Sequence, residues 1–402
     1  MKRTYSAAIT AIFALVMLFG LGLPHSTQAQ WILLEDTAHR MVQEGLDEMY
    51  NLNHSKANKI FTSLSKMIPG HPAGPFLLGL NDWWRIKPNI ADKAAVDKYS
   101  KSFNAHMNRS IVICDSLLKE NPFDIAGLFF KGAAYGYRAR LKSSDLRAKS
   151  VTTWVGVLKD AHEGRKMLLE CQRLAPGNSD VLLGSGLILY WSEEILNKVP
   201  GLKTLTLPPG DKQIGIQMIR ISATKALYTK VEAKYALLEI MANNEKDWAQ
   251  ALNLSKELYS KYPNNPDFHK YYARALYYRG KFQESDNKWR KLMKRVKARQ
   301  FGYELSFVRQ GLYYLGDIQL RKANPDPAEA VRILKEAIKV NKRLDEEDSG
   351  YYVAAILRLG NAYDKLGKRA EAERQYKKVL SLDDVNNQYH SKAREFLEKP
   401  YS

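Results

Sequence analysis

The chain has 402 residues, of which 45% are hydrophobic and 26% are charged, with 24 Gly, 15 Pro and 2 Cys. These fractions exclude a wholly disordered chain, a collagen-like repeat and a disulfide-dense mini-scaffold. Lys and Arg (62) outnumber Asp and Glu (43), so the formal net charge is +19, which favours acidic partners over basic ones. The length fits either several compact domains or one elongated array.

The N-terminal 29 residues have the layout of a secretory signal peptide. Lys2 and Arg3 form a basic start, residues 7–23 are uncharged and apolar, and residues 27–29 place small side chains before Gln30. The apolar run is near the lower limit for spanning a bilayer, so a cleaved signal and an uncleaved anchor both stay open. The sequence predicts export to the periplasm or the exterior of a bacterial cell.

Export also bears on the two cysteines, Cys114 and Cys171. An oxidising compartment permits a disulfide between them. The amphipathic pattern around both residues favours the other interpretation, in which they are small core residues on two helices.

Beyond residue 30, apolar residues recur at i, i+3, i+4 and i+7 in helix-length stretches separated by Gly, Pro and Asn. The clearest unit begins at Val353 and places Gly360, Ala372 and Tyr376 at its positions 8, 20 and 24. Small residues at positions 8 and 20 let two helices touch, and the large residue at position 24 fills the adjoining space. A related spacing starts at Pro266 and recurs near the N-terminus.

This pattern resembles the tetratricopeptide repeat family, whose 34-residue units are pairs of antiparallel helices. The resemblance implies an all-α fold, a right-handed α-α superhelical solenoid of helical hairpins. The spacing from Gly45 to Gly79 is 34 residues, but the next two spacings, to Gly132 and to Gly186, are 53 and 54. The N-terminal half is therefore expected to contain elongated hairpins, with long second helices over about 91–120 and 144–174.

These observations predict five segments in the chain. They are a signal peptide (1–29), long-period repeats (30–196), a Pro/Gly loop (197–211), regular repeats (212–385), and a capping helix with a tail (386–402). The cap is expected because an open solenoid end exposes an apolar face.

The sequence contains no recognisable catalytic or metal-binding motif. The eight His and two Cys are not spaced as clustered ligands, and the Gly-Lys pairs at 280–281 and 367–368 lack the earlier Gly of a phosphate-binding loop. The prediction is a protein that is not an enzyme and uses no cofactor and no metal. An enzyme site assembled between repeats stays as an alternative.

The resemblance also implies where a partner binds, because in this family the first helix of each unit lines a concave groove. Aromatic residues recur at positions 12 and 13 of these helices, where they either contact an extended partner or pack against the next unit. Basic and polar residues at other groove positions form an incomplete set for gripping a C-terminal carboxylate. The predicted partner-binding residues are Tyr50, Trp83, Trp84, Tyr137, Trp191, Lys270, Arg274, Tyr277, Tyr278 and Asn361.

Two basic clusters are also predicted to lie on the surface. They are expected to attract anionic lipid, lipopolysaccharide, acidic glycan or an acidic protein, or to form an ordinary solvated repeat surface. The first comprises Arg138, Arg140 and Lys142, with Arg147 and Lys149 near the same turn, and the second comprises Arg290, Lys291, Lys294 and Arg295.

Together these features predict a non-catalytic exported scaffold that binds a protein partner through its concave groove. The alternative is a glycan- or lipid-binding envelope module that uses the aromatic row and the basic clusters. No nucleic-acid partner is expected, because an exported protein seldom meets nucleic acid. The sequence does not indicate an oligomeric state.

Overall fold

A computed structural model describes residues 36–89, 93–144, 151–198, 210–344, 350–384 and 388–402, and all regular structure within them is helical. The predicted signal peptide, most of the predicted Pro/Gly loop, and Arg147 and Lys149 lie outside these residues.

The described part of the chain forms 17 α-helices, which pack in sequence as eight hairpins (α1 with α2 through α15 with α16) and a final helix, α17, against the last pair. The helices are α1 Asp36–Tyr50, α2 His54–Met67, α3 Ala73–Ile86, α4 Lys93–Glu120, α5 Ile125–Ser144, α6 Val151–Leu174, α7 Leu182–Lys198, α8 Lys212–Lys225, α9 Lys230–Ile240, α10 Trp248–Lys261, α11 Pro266–Tyr278, α12 Phe282–Lys297, α13 Leu305–Arg321, α14 Pro327–Arg343, α15 Gly350–Lys365, α16 Arg369–Leu380 and α17 Tyr389–Glu398. The predicted all-α solenoid of helical hairpins is confirmed. The long second helices are present as well, with 28 residues in α4 and 24 in α6.

Close approach of the two helices explains the glycine at position 8 of the repeat. A Cβ added to Gly45 would lie 2.3 Å from Cε1 of Phe61, and one added to Gly360 would lie 2.4 Å from Cε1 of Tyr376. Each aromatic ring occupies the space that the missing side chain leaves. The pairing of a small and a large residue therefore sets how closely the helices of a hairpin pack.

The first hairpin also contacts helices far along the chain. The Tyr262 hydroxyl donates to Oδ1 of Asp47 at 2.6 Å, and Nδ2 of Asn265 donates to the backbone carbonyl of Tyr50 at 3.0 Å. These partners are 215 residues apart. The first five hairpins and the start of the sixth thus form a turn of the solenoid that closes on itself.

A buried aromatic group, here called the closure cluster (Tyr50, Trp84, Tyr235 and Phe268), fills the place where the turn closes. The rings of Tyr50, Tyr235 and Phe268 lie 5.3, 5.4 and 5.8 Å from that of Trp84. Nε1 of Trp84 donates to Oε1 of Glu232 at 2.7 Å. Burial raises the pKa of the Glu232 carboxyl. The indole N–H of Trp84 gives this buried carboxyl a hydrogen-bond donor, as buried polar groups require.

Two histidines are buried with the hairpin cores. Nδ1 of His54 lies 2.8 Å from Oδ1 of Asn81, and the ring of His269 stacks on Tyr259 at 4.5 Å. Burial disfavours the charged imidazolium, so it lowers the pKa of His54 to about 4 and that of His269 to about 3. Both side chains are therefore neutral in the folded protein at neutral pH.

The two cysteines are buried as free thiols, Cys114 on α4 and Cys171 on α6. Burial raises the pKa of each thiol to about 12. This agrees with their interpretation as core residues.

The described ranges contain neither a membrane-spanning helix nor a metal-binding cluster. None of the helices there combines the length and apolarity needed to cross a membrane. The same residues contain no group of three or more His, Cys, Asp or Glu placed to hold a metal ion.

Gly45→Ala is expected to lower the free energy of unfolding by about 1–3 kcal/mol, because the new methyl group overlaps the Phe61 ring. Gly136→Ala on α5 is the matched control, because a Cβ there meets nothing within 4 Å. Gly136→Ala should not lower the free energy of unfolding, and the better helix propensity of alanine should raise it by up to about 1 kcal/mol. Urea unfolding measures both variants, and equal losses would contradict the packing explanation.

The buried histidines predict that acid weakens the fold. In the unfolded chain, both histidines bind a proton as the pH falls through about 6.5. In the folded protein they stay neutral until the pH reaches about 4 for His54 and about 3 for His269. The free energy of unfolding therefore falls as the pH drops from about 6.5 toward these values. His269→Phe should reduce the slope of unfolding free energy against pH between 5.5 and 4.5 by about 1.4 kcal/mol per unit. Exposed His162→Phe is the control, and identical slopes for both variants would exclude this cause.

Candidate partner-binding face

Aromatic rings on the first helices of successive hairpins touch one another in a row. The ring centroids are 5.9 Å apart for Trp83–Tyr137, 4.8 Å for Tyr277–Tyr314 and 5.6 Å for Tyr313–Tyr351. Trp83, Tyr137 and Tyr277 of the predicted row take part in these contacts, and the other three rings were not predicted. These rings pack between one hairpin and the next rather than facing solvent.

Three of the predicted partner-binding aromatics lie in the core. Tyr50, Trp83 and Trp84 are 1%, 1% and 0% exposed. Tyr50 and Trp84 belong to the closure cluster, and Trp83 is covered by Tyr137 and by the guanidinium of Arg140, 5.2 Å from its ring. This corrects the expectation of an exposed ladder, because closure of the turn places these side chains against other hairpins.

Three further predicted residues are engaged within the protein. Tyr277 is buried and donates its hydroxyl to Oδ2 of Asp317, and Asn361 is fully buried. Nζ of Lys270 lies 2.6 Å from Oδ1 of Asp267, one helical turn away. These residues hold the inner face together and are not free to meet a partner.

Four predicted residues come together around one interior space. Tyr50, Tyr137, Arg140 and Trp191 line a cavity of about 570 Å³ inside the closed turn. Trp191 is 39% exposed, so it lines the cavity and also reaches the surface.

In the second half of the chain, exposed Tyr278 stacks on the half-buried ring of Trp248. The rings of Tyr278 and Trp248 lie 3.9 Å apart at an interplanar angle of 13°, and Tyr278 is 46% exposed. The guanidinium of Arg274 lies 5.5 Å from the Trp248 ring. Trp248, Arg274 and Tyr278 are here called the aromatic-arginine platform.

The guanidinium of Arg274 has spare capacity for an acidic group. Nη1 donates to Oδ1 of Asn243 at 3.3 Å, but buried Nε has no hydrogen-bond partner. No carboxylate in the described ranges lies within ion-pair distance of it. By contrast, Nε of Arg358 on the same inner face lies 2.7 Å from Oδ1 of Asp317.

Sequence reasoning found Arg274 and Tyr278 but missed Trp248. The groove positions of this repeat family lie on first helices, whereas Trp248 is the first residue of α10, a second helix. A signal was available, since Asp247 caps this helix by accepting the backbone N–H of Gln250 at 2.9 Å. A tryptophan directly after a helix cap lies at the hairpin turn, next to the end of the neighbouring first helix.

The first basic cluster is not a free cationic surface. Arg138 and Lys142 both pair with Oδ2 of Asp160, at 3.3 and 2.7 Å, and Arg140 pairs with Oε2 of Glu239 at 3.0 Å. This corrects the assignment of Arg138, Arg140 and Lys142 as an attracting patch, because each of these three cations already faces a carboxylate, whereas Arg147 and Lys149 lie outside the described residues.

The second basic cluster is partly free. Arg290 pairs with a carboxylate on its own helix at 2.6 Å, and Arg295 donates to a tyrosine hydroxyl at 2.6 Å. Lys291 and Lys294 are exposed, with no carboxylate partner in the part of the chain that the structure covers. The free charge on α12 is thus smaller than the sequence indicated.

Comparison with known proteins detects one repeat by sequence. Residues 353–382, which cover most of α15 and α16, match the family described as Tetratricopeptide repeat. No curated protein matches the chain.

Several solved structures match this chain with low TM-scores. The P58(IPK) TPR domain has a TM-score of 0.27 and 13% identity, covering 90% of this chain and 97% of that chain. A human IFIT1 dimer with m7Gppp-AAAA has a TM-score of 0.33 and 12% identity, covering 88% of this chain and 97% of that chain. Yeast Tom70 has a TM-score of 0.23 and 11% identity, covering 90% of this chain and 95% of that chain. At these values the similarities say nothing about what this chain binds.

Proposed function

We propose that the protein is a non-catalytic scaffold that binds an acidic segment of a protein partner and acts outside the cytoplasm, in the periplasm or at the cell exterior. The observation that carries the proposal is the aromatic-arginine platform. It is a stacked ring pair, of which Tyr278 is exposed, next to a guanidinium without a carboxylate in the described residues.

The platform has the composition of a binding hot spot. Trp, Tyr and Arg dominate such spots because they bury much area and lose little conformational freedom. Stacking on Trp248 fixes the ring of Tyr278 before a partner arrives, which lowers the entropy cost of binding. Arg274 then offers a charged hydrogen bond to an incoming carboxylate.

The basic surface supports an acidic partner. Lys291 and Lys294 are exposed on α12, the helix that follows the platform helix α11. The net charge of +19 acts in the same direction. Such charges mainly raise the rate of association and make it depend on salt.

A glycan partner has less support than a peptide. Glycan recognition uses flat aromatic faces in contact with solvent, and Trp83 and Trp84 are both buried. One face of Tyr278 is covered by Trp248. The lipid alternative relies on the same aromatic row and on the basic clusters, and Arg138, Arg140 and Lys142 of the first cluster already pair with carboxylates.

Replacing Tyr278 with a photo-reactive benzophenone amino acid is expected to crosslink a protein partner in intact cells. The same replacement at Phe123, a 59% exposed residue on the turn before α5, is the control. With the crosslinked partner purified, Arg274→Gln should weaken its binding at least tenfold, because a charged contact at a hot spot is lost. Exposed Arg290→Gln should change the affinity less than about twofold. Equal crosslinking at both positions, or equal affinities, would refute the platform.

Export predicts a shortened chain. In a bacterium producing the full sequence, mass spectrometry of the envelope fraction should find a chain beginning at Gln30. Ala29→Leu should leave the longer form, because a bulky side chain blocks processing at a small-residue site. A full-length chain in the envelope indicates the anchored alternative, and a full-length chain in the cytosol would contradict export.

A further inference from the structure

The interior cavity has the size and walls of a small-molecule site. Its volume of about 570 Å³ lies within the range of about 300–1,000 Å³ that ligand pockets occupy. Helices α1, α3, α5, α6, α7 and α9 contribute to its wall. The wall is mostly apolar, and representative side chains are Leu46, Phe76, Leu80, Phe129 and Ile188.

Gly136 shows that one stretch of this wall is left without a side chain. It lies within α5 and lines the cavity, and a Cβ there meets nothing within 4 Å. Neighbouring Gly132 differs, because a Cβ there would lie 2.7 Å from Leu168. A glycine within a helix weakens it, so helix packing explains Gly132 but does not explain Gly136. Its effect is to widen the cavity.

The cavity opens to solvent beside α5, α6 and α7. Gly136 and Arg140 on α5 and Ala161 on α6 are exposed, Trp191 on α7 is 39% exposed, and all four line the cavity. Arg165 also lines it, one helical turn after Ala161 and on the same face. The guanidinium therefore belongs to the mouth, and the apolar wall lies deeper.

Arg165 has no counter-charge among the residues that the structure describes. Its Nε is buried and has no hydrogen-bond partner. No carboxylate of the described segments forms an ion pair with it. A guanidinium beside apolar walls favours an anion that brings its own apolar body.

The acids in the cavity wall are already engaged. Asp180 accepts backbone N–H groups at the start of α9, including that of Thr229 at 2.7 Å. Glu232 accepts the indole N–H of Trp84, and Glu239 pairs with Arg140 at 3.0 Å. These interactions hold the acids in place, so they do not neutralise Arg165.

We propose that this cavity binds a single-chain amphiphile with an acidic head, of the long-chain fatty-acid class. The chain lies along the apolar wall, where every buried methylene adds to the binding free energy. The carboxylate pairs with Arg165 at the mouth, in the fork geometry that guanidinium and carboxylate share. This site is separate from the aromatic-arginine platform, so either proposal stands if the other fails.

The test uses the full chain, delipidated on a hydrophobic resin, and 11-(dansylamino)undecanoic acid as a fluorescent probe. Probe fluorescence should rise and saturate at one equivalent. Hexadecanoic acid should displace the probe at a concentration at least tenfold lower than 1-hexadecanol, which has the same chain length and no charge. Absence of saturable binding would overturn the site, and equal displacement by acid and alcohol would overturn the role of Arg165.

Variants locate the ligand. Gly136→Phe should weaken probe binding at least tenfold by filling the cavity, whereas Gly136→Ala should stay close to wild type. Ala236→Phe fills the same cavity from α9 and serves if Gly136→Phe melts at a clearly lower temperature by circular dichroism. A folded filled variant that binds the probe as wild type does would refute the location.

The head-group contact has its own pair of variants. Arg165→Gln should reduce the preference for acid over alcohol to less than about twofold while leaving alcohol displacement unchanged. Arg165→Lys should retain most of the preference, because the charge remains. An unchanged preference in Arg165→Gln would show that another group holds the carboxylate. Arg274→Gln should bind the probe like wild type, which separates this site from the platform.

Discussion

The contact of Trp84 with Glu232 and the rings around it is the constraint on which the rest of the molecule depends. In an ordinary solenoid each repeat touches only its neighbours, so the inner surface stays open and stability is nearly a sum of local terms. Here the contacts join residues 148 to 215 positions apart. The N-terminal hairpins therefore depend on later ones, and this part of the molecule has features of a globular domain. Because loops of that length must close before these contacts form, closure is expected late in folding.

Closure also divides the inner face into two regions with different chemistry. Inside the closed turn, the first helices face one another across an apolar cavity of about 570 Å³, which suits a small ligand. Where α10 meets the end of α11, the protein presents the stacked rings of Trp248 and Tyr278, a shape that suits a segment of another protein. The long second helices α4 and α6 belong to the closed part. Of these two helices only α6 lines the cavity, and it supplies one side of the cavity mouth.

The hairpins could be predicted from the sequence because they depend on neighbouring residues. Gly45 with Phe61 and Gly360 with Tyr376 are spaced within one repeat, so their spacing reports the contact directly. Closure could not be predicted, because a repeat pattern contains no information about contacts between distant repeats. Trp84 and Tyr278 occupy the same repeat position, yet one is fully buried and the other is 46% exposed.

The prediction that the first basic cluster carries free charge was wrong for a similar reason. Arg138 and Lys142 read as free charge along the chain, but both pair with Asp160 from the opposite helix of the hairpin. These ion pairs form where α5 packs against α6. Whether such a pair forms depends on the positions of the side chains in the folded hairpin, which composition does not give. The net charge of a sequence thus indicates the sign of the charge that a partner carries. Which cations are free of ion pairs can be seen only in the folded structure.

A single physical criterion selects both candidate sites once the paired charges are set aside. Lys87 lies 3.0 Å from Asp267 and 3.5 Å from Glu239, so cations on the inner wall generally face a carboxylate. Arg165 and Arg274 differ, because each has a buried Nε without a hydrogen-bond partner and no ion pair within the described chain. Keeping a partly buried charge unpaired is costly, and a bound anion removes that cost. One of these arginines stands beside an apolar cavity and the other beside stacked rings, so the same need for a counter-charge is met by an amphiphile in the first case and by an acidic peptide in the second.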